Sequence, residues 1–136
     1  MMKTLTIEAD AQNIDTVLDF VDEELEAYEC GIREQMAIHV AIDELFANIS
    51  MYAYTPGTGS VTIGVELFSD PKAVEITFTD SGIPFDPLKK ADPDTALSLE
   101  EREVGGMGIL IVKKSMDAVR YVYADGKNNL TIRKEF

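Results

Sequence analysis

Three short groups of residues carry side chains or backbone that could act on a ligand. The first is Glu44 and Asn48, in a segment with helical periodicity. Four residues apart, they stand one turn apart on one face, at the margin of the helix's apolar stripe. There an amide oxygen could act as a hard ligand for magnesium, and a carboxylate could accept the proton of an attacking hydroxyl. Alone, the pair reads more simply as two polar residues bordering a core. The second group is Asp80-Ser81-Gly82-Ile83-Pro84-Phe85-Asp86-Pro87. Val74, Ile76 and Phe78 alternate toward one side of the preceding strand and Asp80 continues that side. An acid ending a core-facing row needs hydrogen-bond donors or a cavity. The amino group of an adenine is such a donor, and Gly82 would let backbone approach a flat ring closely. An Asp-Ser-Gly turn leaving a strand is the alternative. The third group is Gly105-Gly106-Met107-Gly108 at the entrance of a helix. Free N–H groups and the helix dipole there make a phosphate site without any lysine. No Lys-Ser/Thr follows the glycines, so this is not a Walker loop; no strand immediately precedes them, so it is not the dinucleotide fingerprint. By itself it reads as a hinge before a helix.

These groups need elements to position them. Lys3–Ile7 alternates as a short strand. Ile14, Val17, Leu18, Val21, Leu25 and Tyr28 recur at helical spacing, with Asn13 as the cap and Gly31 as the stop. Asp22, Glu23, Glu26 and Glu29 on its outer face read as a solvated surface. A second helix runs from about Arg33 to Tyr54, with Ile38, Ala41, Ile42, Leu45, Ile49 and Tyr52 as its main stripe. Met36, Val40 and Ala47 on its far side predict that it is covered from two directions. His39, nine residues before Asn48, falls on the opposite side of this helix and is read as a structural or surface histidine. After Thr55-Pro56-Gly57 come strands at Val61–Phe68 and Ala73–Asp80, joined by Ser69-Asp70-Pro71-Lys72. Ser81–Val104 is the one long irregular segment, of the kind that serves as a lid. A helix over Met107–Met116 follows, then strands at Val119–Tyr123 and Leu130–Phe136 around the turn Ala124-Asp125-Gly126-Lys127. Hairpin-length links imply a mostly antiparallel sheet with the helices packed on one face.

Composition narrows the classes. The chain has 136 residues, 46% of them hydrophobic and 27% charged, as expected of one folded domain. Twelve basic against twenty-five acidic side chains give a formal charge of −13, a field that repels nucleic acid and anionic lipid. A nucleotide would therefore be held by local dipoles, a metal and a few cations. The lone Cys30 needs no oxidising compartment, and neither a signal core nor a spanning apolar run is visible, so the expected location is cytoplasmic.

In order, the motifs are E-x-x-x-N on a helix, D-x-G at a strand end, a long loop, and G-G-x-G opening a helix. This order resembles the ATP-binding Bergerat fold, the histidine-kinase-like ATPase fold shared by gyrase, the heat-shock chaperone, histidine kinases and MutL. Within that superfamily the chain is similar to the stand-alone serine/threonine kinases that act as anti-sigma factors, over essentially its whole length. The resemblance implies an α+β two-layer sandwich, one domain over residues 1–136, with a mostly antiparallel mixed sheet and helices on one face. It implies Glu44 as general base, Asn48 as magnesium ligand, Asp80 as acceptor of the adenine amino hydrogen and Gly82 beneath the base. Gly105, Gly106, Met107 and Gly108 would wrap the phosphates. Asn129 or Thr131 falls near the place where relatives set a hydroxyl beside that acid. Pro84 is a departure, since many relatives have glycine there, and proline fixes a dihedral and removes a donor.

The implied cofactors are ATP or ADP and Mg2+. The implied reaction is phosphoryl transfer to a small anti-sigma-factor antagonist, with a sigma factor sequestered by a homodimer and neither nucleic acid nor membrane as partner. Residues Leu88–Val104 would form the lid, with Lys89 and Lys90 as candidate phosphate contacts or simply solvated lysines. The alternatives are a non-catalytic, nucleotide-responsive switch that binds a partner, and an interaction domain with no nucleotide.

Overall fold

Alternating apolar residues become a five-stranded sheet with one apolar face. In the computed structural model, which describes residues 2–54, 57–89 and 106–136, the strands are β1 (Met2–Glu8), β2 (Ser60–Ser69), β3 (Lys72–Asp80), β4 (Ala118–Ala124) and β5 (Lys127–Glu135). Their order is β1-β2-β3-β5-β4, and all four pairings are antiparallel. Val61, Ile63 and Val65 of β2, Val74, Ile76 and Phe78 of β3, and Leu130 and Ile132 of β5 are buried in one cluster. The same cluster takes Val17, Val21 and Leu25 from α1 (Ile14–Ala27), Ile38, Ala41, Ile42, Leu45 and Phe46 from α2 (Ile32–Tyr52), and Ile109 and Val112 from α3 (Gly106–Ser115). Each helix thus buries one stripe against the same sheet face, and the architecture is the expected α+β two-layer sandwich. No helix among the described residues is long and apolar enough to cross a membrane.

The other sheet face is polar. Thr6 bonds Thr62 at 2.8 Å, Thr77 bonds Thr131 at 2.9 Å, and Thr79 donates to Asn129 at 2.9 Å. Glu75 receives Arg120 at 2.7 Å and Arg133 at 2.9 Å. Burial alone would push the Glu75 carboxyl up, but these two arginines more than offset it and hold the group below its ordinary 4.5. The resulting stability is fully present above the unfolded value and is lost as pH falls through the lower folded value. Glu75→Gln should therefore flatten the loss of stability below about pH 4.5 and cost on the order of 1 kcal/mol at neutral pH, read from urea melts across pH.

Local details differ from the sequence expectations in four places. Asp10, not Asn13, caps the entrance of the first helix: it accepts from Gln12 N at 2.9 Å over a 3-10 turn, while the Asn13 side chain donates to the Glu8 carbonyl at 3.0 Å. At the exit it is Glu29, at φ 59°, that turns left-handed, with Cys30 N bonded to Leu25 O and Glu29 N to Glu26 O. Gly31 is extended and instead precedes α2. The far side of α2 is uncovered, with Met36 64% and Val40 50% exposed, because a two-layer fold offers no third layer to bury it. Finally, β5 begins at Lys127 rather than Leu130, since pairing with the end of β3 extends the strand through two asparagines of low strand propensity. The two-residue hairpin before it puts Asp125 at φ 56° and Gly126 at φ 74°, the left-handed pair that suits strand twist.

Candidate functional site

The helix face that carries Glu44 and Asn48 meets two different parts of the molecule. Asn48, with Leu45, Ile49 and Tyr52, lines one side of a cleft that opens to solvent; Asp80, Phe78, Leu130 and Asn128 form its sheet side. The walls are mainly apolar, and the polar groups are few. Glu44, one turn earlier, stands against the start of α3: a Cβ on Gly108 would overlap its carboxyl group. A side chain at 108 would require the Glu44 carboxyl to move aside. Gly106, Met107 and Gly108 open α3 as expected, while Gly105 and the expected lid from Lys90 onward lie outside the described residues.

Electrostatics separates the two acids. Burial, and then the neighbouring Asp43 charge, push the Glu44 carboxyl above its ordinary 4.5. Asp80 is 5% exposed and ends the core-facing row of β3, as the alternation predicts. Its Oδ1 accepts from Gly82 N at 2.9 Å and from Asn128 Nδ2 at 2.9 Å. Both bonds go to one oxygen, and among the described residues no hydrogen bond engages Oδ2.

Several positioning residues escape the sequence reading. The register pairs Asp80 with Asn128, Thr79 with Asn129 and Thr77 with Thr131. Asn129 and Thr131 therefore project on the polar face, and it is Asn128 that reaches the acid. Counting back by two from the buried Leu130 would have found it. Tyr54, past the end of α2, donates to Ser60 O at 2.6 Å and accepts from Ser81 N at 2.8 Å, and Ile83 N bonds Ala53 O at 3.0 Å. These bonds hold the exit of β3 to the end of α2 and so fix Asp80 relative to Asn48. Gly82 is needed for the same junction: a Cβ there would overlap the Ala53 carbonyl. Pro84 removes no bond from this arrangement, because the backbone groups that the Asn128 side chain holds belong to its neighbours, Ile83 O at 2.9 Å and Phe85 N at 3.2 Å. His39 is structural: its Nε2 lies 2.5 Å from Asp22 Oδ1, which also accepts from Gln35 at 2.9 Å, so Asp22 is no mere member of a solvated acid face.

One helix, α2, and the strands β3, β5 and β4 with the segment after β3 thus line an apolar cleft that has an acid, Asp80, at its base and an amide, Asn48, at its side. Residues 7–134 match the family model of the histidine kinase-like ATPase domain. The chain belongs to the histidine kinase-like ATPase family. Within that family it is similar to the serine/threonine-protein kinase BtrW of Bordetella bronchiseptica, 31% identical over 100 residues that cover 74% of this chain and 70% of that protein. The chain also shares its fold with a chain in the crystal structure of the SiaB–SiaC complex from Pseudomonas aeruginosa. There the TM-score is 0.59 at 17% identity, over 97% of this chain and 89% of that one.

The family implies a nucleotide, and the lining of the cleft suits one. A buried acceptor oxygen at the base of an apolar cleft fits a flat ring carrying an amino group. Among the described residues no three His, Cys, Asp or Glu side chains gather into a metal site. Asn48 offers one hard oxygen at the cleft, and a magnesium ion held there would take its other ligands from phosphate and water.

Proposed function

We propose that this protein is an ATP- and magnesium-dependent serine/threonine kinase acting as an anti-sigma regulatory factor, with a small anti-sigma-factor antagonist as phosphoacceptor. The observation that carries the reading is spatial: Asn48 shares a cleft with Asp80, while Glu44, one helical turn away, abuts the backbone of Gly108. The likeness to a named serine/threonine kinase supports the reaction class. Asp80 Oδ2 accepts the amino hydrogen of the adenine, and the apolar walls exclude water from the ring. The N–H groups at Gly106, Met107 and Gly108 receive phosphate oxygens at the positive end of α3. Asn48 holds the magnesium ion, which when bound neutralises charge on the phosphates and orients them. Glu44 takes the proton of the attacking serine or threonine hydroxyl, a role that suits a carboxyl whose proton affinity is raised by burial. In the same reading a sigma factor is the sequestered partner, held by a homodimer.

The test combines binding with transfer. Mg-ATP at a hundred times its dissociation constant should stabilise the fold by about 2.7 kcal/mol in a thermal melt. With γ-labelled ATP, label should move onto a serine or threonine of an antagonist encoded nearby. Stabilisation without label on protein would instead identify a non-catalytic switch, and neither effect would leave a domain that does not use nucleotide.

A further inference from the structure

The base end of the cleft contains a buried side chain with every polar atom engaged. Asn128 is 6% exposed and lies opposite Asp80 in the β3–β5 register. The orientation of its amide follows from its partners. Phe85 N can only donate, so it faces Oδ1 at 3.2 Å; the Ile83 carbonyl can only accept, so it faces Nδ2 at 2.9 Å. The Tyr121 hydroxyl donates to the same Oδ1, and burial, by pushing that hydroxyl up, keeps it a donor. With the amide held in this way, the other hydrogen of Nδ2 goes to Asp80 Oδ1 at 2.9 Å. One side chain therefore orients the acid and pins the Ile83–Phe85 wall of the cleft.

We infer that Asn128 is a specificity-determining positioning residue. By occupying Asp80 Oδ1 together with Gly82 N, as its one side-chain donor there, it leaves Oδ2 as the acid's acceptor at the base end, so that affinity depends on a purine's 6-amino group. The inference rests on the nucleotide-binding reading above. A carboxylate free to rotate could turn either oxygen, or a water, toward the ligand and would tolerate a base without that amino group. A carboxylate locked from behind has no such freedom. A base with a carbonyl at position 6 sets acceptor against acceptor, and a base with hydrogen there leaves the oxygen unpaired. Asn128 acts through Asp80.

The experiment is calorimetric titration of the full chain with Mg-ADP and with the diphosphate of purine riboside, which lacks the 6-amino group. Wild type should prefer ADP by roughly 10- to 100-fold, the range for one hydrogen bond to a charged acceptor. Asn128→Leu should bring the two ligands to within a few-fold of each other, chiefly by weakening ADP. A parallel weakening that preserves the ratio would show that Asn128 only supports the fold, and the inference would be overturned. Should Asn128→Leu fail to fold, Tyr121→Phe decides: it removes one orienting hydroxyl but keeps the amide, and the preference should shrink, whereas an unchanged preference overturns the inference. A wild-type chain that binds neither nucleotide defeats the nucleotide reading itself, and is recognised because there is then no preference to lose.

Discussion

Glu44→Gln should lower phosphoryl transfer by roughly 10²- to 10⁴-fold while leaving nucleotide affinity within a few-fold. The glutamine keeps the shape that packs against Gly108 and loses only the capacity to take a proton. Burial and the nearby Asp43 raise the carboxyl's affinity for its proton above the ordinary 4.5. Two consequences follow for pH. The acid limb of the wild-type transfer rate should lie above 4.5, since the base works only when deprotonated, and in the variant this limb should vanish. The second concerns the ligand-free fold. A group whose folded value is raised binds its proton more tightly folded than unfolded, so stability falls as pH rises through the folded value. Wild type carries that loss at neutral pH and Glu44→Gln does not. The variant should melt no lower than wild type at pH 7. A Glu44→Gln protein that phosphorylates its antagonist at the normal rate would remove Glu44 from the reaction.

The second large effect is at Asp80. Asp80→Asn should weaken ADP on the order of 100-fold, while costing no more than about 1–2 kcal/mol of stability. The two effects separate because they use different oxygens. An asparagine Oδ1 can still accept from Gly82 N and Asn128 Nδ2, as the carboxylate does at 2.9 Å in each case. In place of Oδ2 it presents an N–H, which meets the 6-amino group donor to donor. Inosine diphosphate, with a carbonyl at that position, should gain relative to ADP, so the order of preference changes as well as the affinity. Calorimetry with both ligands, next to a thermal melt of the free protein, measures the two parts. Unchanged ADP binding would mean that Asp80 serves only the fold.

Much of the site is legible in the chain. The spacing of Glu44 and Asn48 fixes a shared helix face, because 3.6 residues per turn is a local property. Asp80 is found by extending the alternation of Val74, Ile76 and Phe78, and the structure buries it to 5% exposure at the end of that row. Asn128 was within reach of the same count, run backward from Leu130 and Ile132, but two asparagines beside a glycine turn read as loop. What the count cannot supply is the partner. Asn128 meets Asp80 across 48 residues of chain, and the one-residue choice among Asn128, Asn129 and Thr131 is a choice of sheet face. The junction of Tyr54 with Ser60 and Ser81, and the pairing of Asp22 with His39, are contacts between elements that carry no periodic signal.

By itself the amino-acid sequence determined the elements, their apolar faces and the order of three motifs, since helix and strand periods are written in neighbours a few residues apart. Tertiary structure alone decided that Gly108 closes against Glu44, that Asn128 rather than Asn129 or Thr131 holds the buried acid, and that the outer side of α2 stays open. Register and packing are set by pairing and burial summed over distant segments, and no short stretch of chain contains that sum.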